Sequence, residues 1–302
     1  MEFNQLESFL SVVKHRSFSK AAKELYLTQP TVSNNIQGLE KELNTTLLDR
    51  KSKTITLTDS GKIFYNYALE LINIREQALH NISNHSNNIE GVIEITVSSI
   101  PEQFILPYII KDFTKIHPKI SFSVSTKNSK EIADDILEGR KSYGIVGTKF
   151  SSQILKYISF YEDELILATP DNNDYPMPID TTLDLDILFK ENFVLRTEGS
   201  GTRLFLEKCL NNIDISIDDL NVVALIDSNE MIKKMIELGL GVSFVSKISI
   251  KNEIALGLIK SFRVRDLDLK RNFYFIYSKN RTLSPIIETF KDFIGKWKGL
   301  PV

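Results

Sequence analysis

The spacing of apolar residues changes character three times along the chain. Leu6, Phe9, Leu10 and Val13 recur three and four apart, the spacing of one helix face. A second, short helix is expected over Ala21, Ala22 and Leu25, with Ser19 as its N-cap. Thr28 is placed to cap a third helix, whose buried stripe is Val32, Ile36, Leu39 and Leu43. Pro30 falls in its first turn, where a missing N–H costs nothing. Only a few residues around Tyr26 and Leu27 join the second helix to the third, the short link of a helix-turn-helix. Polar and apolar residues then alternate from Thr54 to Thr58, which predicts a strand. Two short strands with a basic tip would make a wing.

A long helix is predicted from about Asp59 to His85. Phe64, Tyr67, Leu71, Ile74 and Ala78 alternate by three and four, the seam of a coiled coil, and Ile82 extends it less regularly. These five residues are read as a dimerisation seam on a linker helix of roughly 40 Å. From Gly91 onward, short β-branched or aromatic runs predict strands at Val92–Val97, Ile120–Val124, Tyr143–Val146, Leu165–Thr169, Phe193–Leu195, Val222–Ile226, Val242–Val245 and Phe273–Tyr277. Helical patterns at Phe104–Phe113, Ile132–Leu137, Leu204–Leu210, Met231–Leu238 and Pro285–Ile294 lie between or after them, and Gly139 and Gly239 are placed as C-cap glycines. The alternation predicts parallel, doubly wound sheets. The expected architecture is an α plus α/β chain: a winged helix-turn-helix over 1–58, a linker helix over 59–90, and a two-lobed α/β domain over 91–302. Lobe I would take about 91–163 and 268–302, and lobe II about 164–267.

Composition narrows the class. Of 302 residues, 42% are apolar and 25% charged, ordinary for a globular chain. One cysteine, Cys209, excludes an intrachain disulfide and a cysteine metal cluster. It shares an apolar helix face with Leu206 and Leu210 and reads as a buried filler before a redox sensor. No basic leader and no run of about 18 apolar residues is present, so a cytoplasmic chain without membrane contact is expected. The formal net charge of −2 gives no general attraction to nucleic acid, so a DNA-binding reading must rest on placement.

Placement supports it. Away from its buried stripe, the third helix carries Gln29, Thr31, Ser33, Asn34 and Gln37 beside Pro30, near the end of a recognition helix that meets base edges. Gln and Asn can pair adenine bidentately, and Ser and Thr can bond bases or phosphates. Lys20, Arg50, Lys51 and Lys53 flank this surface for phosphate contacts.

Three strand ends beyond Gly91 carry hydroxyls or glycines. Ser98, Ser99 and Ile100 follow the first strand, Thr148 follows the third, and Arg196-Thr197-Glu198-Gly199-Ser200-Gly201-Thr202-Arg203 leads from a strand into a helix. In open α/β sheets, ligands bind outside the carboxyl ends of strands, and a helix N-terminus favours an anion.

Several strings resemble one family. Phe9-Leu10-Ser11-Val12-Val13, Ser17-Phe18-Ser19-Lys20-Ala21-Ala22, Leu27-Thr28-Gln29-Pro30-Thr31-Val32-Ser33, Leu47-Leu48-Asp49-Arg50 and Leu57-Thr58-Asp59-Ser60-Gly61 resemble the winged helix-turn-helix of LysR-type transcription regulators. Asn34-Asn35 and Leu48 depart from the usual residues there, which bears on base preference and not on fold. Arg196 to Arg203 is similar to a string in the branch that regulates sulfur, selenium-linked and carbon-fixation metabolism, with Glu198 one place later than usual. The resemblance implies double-stranded DNA as partner, a homodimer or homotetramer, contact with RNA polymerase, and a domain shaped like a periplasmic binding protein that takes a small, anionic effector. It further implies Ser98, Ser99, Thr148, Ser200 and Thr202 as hydrogen-bond donors to that anion, Gly199 and Gly201 as points of close approach, and Arg196 or Arg203 as its counter-charge.

The alternative is an enzyme, or a solute-binding α/β protein, with an accessory DNA-binding domain. No G-x-S-x-G, Walker A or H-E-x-x-H motif is present, and His15, His80, His85 and His117 all fall outside the proposed cleft. No catalytic residue, cofactor or metal is therefore expected.

Overall fold

The computed structural model describes residues 1–50, 55–83 and 89–299. The chain forms two compact units, one of residues 1–87 with 280–288 and one of 88–279 with 289–302.

The first unit holds α1 (Phe3–His15), α2 (Phe18–Glu24), α3 (Gln29–Glu42), β1 (Leu48–Asp49), β2 (Thr56–Leu57) and α4 (Asp59–Ser83). The predicted stripes meet: Leu6, Phe9, Ala21, Ala22, Val32, Ile36 and Leu39 share one core. Leu43 does not join it, because it sits past the last turn of α3 as the C-cap and is exposed. The Thr28 hydroxyl accepts the Thr31 N–H at 3.3 Å, as its capping role requires. At α2 the cap is Ser17, not Ser19: Ser17 Oγ accepts the Lys20 N–H at 3.3 Å. Arg16 at φ 50° ends α1 and turns the chain, so extended Ser17 takes the N-cap and Ser19 falls inside the first turn. β1 and β2 pair antiparallel, Leu48 opposite Leu57. Lys51, Lys53 and Thr54 lie outside the described residues, as does His85 beyond α4.

The seam expected on α4 splits in two. Phe64 and Leu71 pack on the unit's own core, with the Phe64 ring 5.5 Å from that of Phe9. Tyr67, Ile74 and Ala78 are exposed, along with Ile63 and Ile82. At 3.6 residues per turn, positions 64 and 71 point about 60° away from 67 and 74, so one row can be buried while the other faces out.

The second unit alternates strands and helices: β3 (Gly91–Val97), α5 (Ser99–Phe104), α6 (Leu106–Ile116), β4 (Ile120–Thr126), α7 (Ser129–Leu137), β5 (Tyr143–Val146), β6 (Leu155–Pro170), β7 (Thr182–Leu183), α8 (Ile187–Lys190), β8 (Asn192–Arg196), α9 (Gly201–Asn211), β9 (Asn221–Ile226), α10 (Asn229–Glu237), β10 (Ser243–Ser246), α11 (Lys251–Ala255), β11 (Ile259–Val264) and β12 (Lys270–Ser278). α12 (Pro285–Lys296) begins in the first unit and ends in the second. The helix expected over Phe104–Phe113 is broken at Ile105, since Pro107 in the first turn of α6 has no N–H to continue the ladder.

β3, β4 and β5 pair parallel in one lobe, and β8 and β9 pair parallel in the other. Antiparallel pairings extend this parallel pattern. β12 runs antiparallel to both β5 and β6, and β10 and β11 flank the far half of β6 in the same sense. The reason is β6 itself. At 16 residues it is far longer than the Leu165–Thr169 run suggests, and it serves one lobe with its first half and the other with its second. In the second half its side chains alternate. Leu165 and Leu167 join the α9 core, while Ile166 and Ala168 join the α10 core. Burial on both faces explains why that half reads as an unbroken apolar run and the first half does not.

Replacing Ser17 by Ala is expected to lower the unfolding free energy of the chain by about 1 kcal/mol, and Ser19 by Ala by less than about 0.5 kcal/mol. Chemical denaturation of the two variants beside the parent checks which serine caps α2.

Candidate functional site

Two surfaces carry the polar residues singled out in the sequence. On α3, Gln29, Pro30, Thr31, Asn34 and Gln37 are exposed and Ser33 is half-buried, while Val32, Ile36 and Leu39 are buried. Asn35 points inward instead, its Nδ2 donating to Ser8 Oγ at 2.9 Å and fixing α3 against α1. Lys20 is exposed beside this face. Arg50 is less free than expected. It donates to Glu40 Oε2 at 2.9 Å and lies over the Phe18 ring at 5.3 Å. Glu40 Oε1 also accepts the N–H groups of Leu47 and Leu48, at 2.8 and 3.2 Å, and so anchors the base of the wing. Tyr26, at φ 56° in the turn between α2 and α3, is almost fully exposed. Its place in a turn of positive φ, where Gly or Asn is commoner, was the only local signal for it.

In the second unit the three strand ends converge on one small cleft of about 20 Å³, lined by residues of both lobes. Ser98, Ser99, Ile100, Arg196, Ser200, Gly201 and Thr202 line it as expected. Thr148, Gly199 and Arg203 do not. Thr148 is half-buried one residue beyond Gly147, which lines the cleft in its place. The Gly199 carbonyl turns to accept the Lys130 N–H at 3.2 Å, which joins the lobes instead of facing the cleft. Arg203 is held by Glu207 at 2.7 Å. Gly201 needs its missing side chain for the same junction: a Cβ there would stand 2.5 Å from Ser129 Oγ.

Pro101, Asn128, Ser129, Gly147, Arg271 and Phe273 complete the lining, and none was marked as a site residue in the sequence. Asn128 caps α7 by accepting the Glu131 N–H, and Ser129 Oγ accepts the Gly147 N–H at 3.1 Å. Arg271, only 4% exposed, donates from Nε to Asp163 Oδ2 at 2.8 Å and from Nη1 to Thr202 Oγ1 at 3.1 Å. Its Nη2 is 2.8 Å from the same carboxylate but has no aligned acceptor. The other Asp163 oxygen accepts Ser246 Oγ at 2.7 Å. Arg196, 6% exposed, donates to Asn229 Oδ1 at 2.5 Å, Asp227 at 3.2 Å and Ser99 Oγ at 3.4 Å, while its Nε has no partner. Burial pushes both guanidinium groups below their ordinary range, against the pull of Asp163 and Asp227, yet an arginine stays charged. Ser98 Oγ is buried here without a hydrogen-bond partner. The cleft thus concentrates two positive charges and unmet donors near the first turn of α9, whose leading N–H groups have no intrahelical acceptor.

Cys209 is 8% exposed, with Sγ 3.4 Å from the Asp268 carbonyl, and burial raises its thiol above the ordinary range. Among the described residues no cluster of three or more His, Cys, Asp or Glu is placed to hold a metal ion, and no helix is long and apolar enough to cross a membrane.

A winged helix-turn-helix, a long helix and a two-lobed α/β domain with a polar cleft define a ligand-responsive transcription regulator, and the chain belongs to the LysR family. Residues 3–62 match the bacterial regulatory helix-turn-helix of that family, and residues 86–298 match the LysR substrate binding domain. The chain is 34% identical over 295 residues to the uncharacterized HTH-type transcriptional regulator MJ0300 of Methanocaldococcus jannaschii, covering 98% of this chain and 99% of that one. It is 28% identical over 292 residues to the HTH-type transcriptional regulator CysL of Bacillus subtilis, covering 97% and 94%. Its fold is that of a full-length OxyR variant from Pseudomonas aeruginosa, with a TM-score of 0.79 at 16% identity over 99% of this chain and 96% of that one. It is thus a DNA-binding regulator with an effector-binding domain, of a family of transcription regulators and not of enzymes.

Changing Gln29 or Asn34 to Ala is expected to relax base preference at the contacted pair by about 1–3 kcal/mol where a bidentate contact is lost. Selection of operators from a randomised DNA pool by each variant reads this out. Unchanged specificity in both would show that the base-reading surface lies elsewhere.

Proposed function

We propose that the cleft of the second unit binds a small anion and that its occupancy alters promoter binding by the first unit. The observation that carries this reading is the meeting in one cleft of two nearly wholly buried guanidinium groups, Arg271 and Arg196, the latter with an unpartnered Nε–H, and the buried and unpartnered Ser98 Oγ. A buried polar group without a partner costs free energy, which an anionic ligand accepting those donors would recover. In this reading Ser98, Ser99, Ser200, Thr202, Arg196 and Arg271 contact the anion. Gly199 supports the lobe junction through Lys130, Thr148 lies outside the lining, and Arg203, held by Glu207, no longer serves as counter-charge.

On the first unit, Lys20, Gln29, Pro30, Thr31, Ser33, Asn34 and Gln37 would meet DNA, with Arg50 presented through its pair with Glu40. The division at 1–58, 59–90 and 91–302 is supported by the family matches, whose gap between 62 and 86 falls on α4. Tyr67, Ile74 and Ala78, with Ile63 and Ile82, would pair α4 with a second copy, since a row of apolar side chains is left exposed there. An anion that spans both lobes would shift the population toward one lobe arrangement and so reposition the paired copies on DNA and toward RNA polymerase. It can do so only by binding the two states unequally.

A thermal-shift screen of the full chain against sulfate, thiosulfate, selenite and sugar phosphates, with zwitterionic O-acetylserine for comparison, tests the cleft. An anion at about 100 times its Kd is expected to add about 2.7 kcal/mol. Thr202→Val should weaken that response and leave effector-free DNA binding intact; loss of DNA binding would make the cleft structural. For the pairing face, Tyr67→Asp with Ile74→Asp is expected to shift the chain toward monomer in analytical ultracentrifugation. An unchanged sedimentation profile would remove α4 from the interface.

A further inference from the structure

α2 ends in a tight left-handed turn. The Tyr26 N–H donates to the Lys23 carbonyl at 3.4 Å, and the Leu27 N–H reaches back to the Ala22 carbonyl at 2.9 Å. That pair of bonds closes a helix when the first of the two donors takes a positive φ, and Tyr26 stands at 56°. A Cβ crowds the backbone there, so glycine is the usual occupant and asparagine the next.

The same turn elsewhere in the chain shows the usual choice. α3, α9, α10 and α11 end with the same two bonds, and their left-handed residues are Asn44, Asp214, Gly239 and Gly257, at φ 49°, 59°, 72° and 67°. Each is a glycine or a short polar side chain that tolerates this backbone. At α2 the position holds a large aromatic. Arg16, at φ 50° before α2, is a second bulky residue in this conformation, but it lines a hollow at the base of the wing with Val13, Leu48 and Leu57.

Nothing in the fold offsets the cost at Tyr26. An aromatic ring stabilises a protein by the area that it buries, and this residue is 96% exposed. A left-handed Tyr in place of Gly lowers the ratio of folded to unfolded chain by about fivefold or more. A residue that breaks a local rule without helping the fold marks a place kept for a partner.

The chemistry of that partner follows from the position. α2 is the first helix of the helix-turn-helix, the one that crosses the DNA backbone while the next lies in the groove. Lys20 and Lys23 are exposed on it, and Tyr26 follows at the same interval of three. Gln29, the first residue of α3, is three further on. Tyr26 thus stands in the sequence between two exposed lysines and the polar face of α3. A phenol hydroxyl is a good donor to a phosphate oxygen, and such a contact carries no base information.

We propose that Tyr26 is a DNA-backbone contact: its hydroxyl donates to a phosphate oxygen, and the left-handed turn holds it out from the fold for that bond. The contact rests on the reading that the first unit meets DNA through α3, and extends it to the end of α2. Stability and affinity then move in opposite directions when Tyr26 is replaced.

Two substitutions in the full chain separate the strain from the hydroxyl. Tyr26→Gly removes both, and Tyr26→Phe removes only the hydroxyl. In urea denaturation the Gly variant is expected to gain about fivefold in the ratio of folded to unfolded chain, and the Phe variant to match the parent. Fluorescence anisotropy with the operator that the parent selects from a randomised pool should show affinity about tenfold lower in both, the worth of a hydrogen bond to a charged group. The loss should be equal on unrelated duplexes. Its salt dependence should match the parent's, since a neutral phenol displaces no counterion, whereas Lys20→Ala should lower the salt slope by about one. Parental affinity in both variants, or a Gly variant less stable than the parent, would overturn the proposal. So would a loss in the Gly variant with none in the Phe variant, which would leave the hydroxyl idle. A loss that follows a shift toward monomer in analytical ultracentrifugation would place Tyr26 between copies of the chain and overturn it as well. Weaker binding in both Tyr26 variants, with base preference unchanged in Gln29→Ala and Asn34→Ala, would count against the α3 face and leave the backbone contact standing. Altered base preference in those two, with parental affinity in the Tyr26 variants, would do the reverse.

Discussion

The second unit depends on one buried ion pair, Arg271 with Asp163. Both side chains are 2% exposed, and they join β12 to β6, the long strand that serves both lobes. Taking two charges out of water costs several kcal/mol per ion, repaid only when the remaining donors and acceptors are met. Here Ser246 and Thr202 meet some of them, drawing β10 and α9 to the same point. Four elements are therefore registered by one charge pair, and the cleft opens directly beside it. Replacing such a pair by apolar residues often stabilises a protein. A pair in this place makes most sense where a guanidinium must be presented to a ligand.

The same economy recurs in the first unit on a smaller scale. Glu40 holds two backbone N–H groups of the wing and the Arg50 guanidinium with one carboxylate. Glu70 holds the loop before α12 in a similar way. In each case an acidic side chain on a helix fixes a segment that has no regular structure of its own. Backbone groups in such segments need partners, and a helix supplies rigid ones at fixed spacing.

Local signals were legible in the sequence. The stripes of α1 and α3, the Thr28 cap and the glycines after α7 and α10 all act within a few residues, and Gly139 and Gly239 take the expected positive φ of 78° and 72°. The α2 cap was misplaced by two residues because the turn at Arg16, which decides it, has no glycine to announce it. On α4 the period was right and the partner only half so. A row of three-and-four spacing says which residues are apolar, and the packing of α1 decides which of them are buried. The hydroxyls and glycines at strand ends were legible because strand ends are local. Arg271 was not: it lies among aromatic strand residues, and its acidic partner is 108 positions away. Asn128 and Ser129 begin a helix, and only the fold brings that end of α7 to the first turn of α9.

The central claim is that this charge pair and its neighbours form an anion site. A crystal structure of the full chain grown with selenate, whose selenium scatters anomalously, tests it most directly. The account predicts an anomalous peak in this cleft, from a selenate whose oxygens accept hydrogen bonds from Ser98, Arg196 and Thr202. A selenate that occupies other sites and leaves this cleft empty would contradict it.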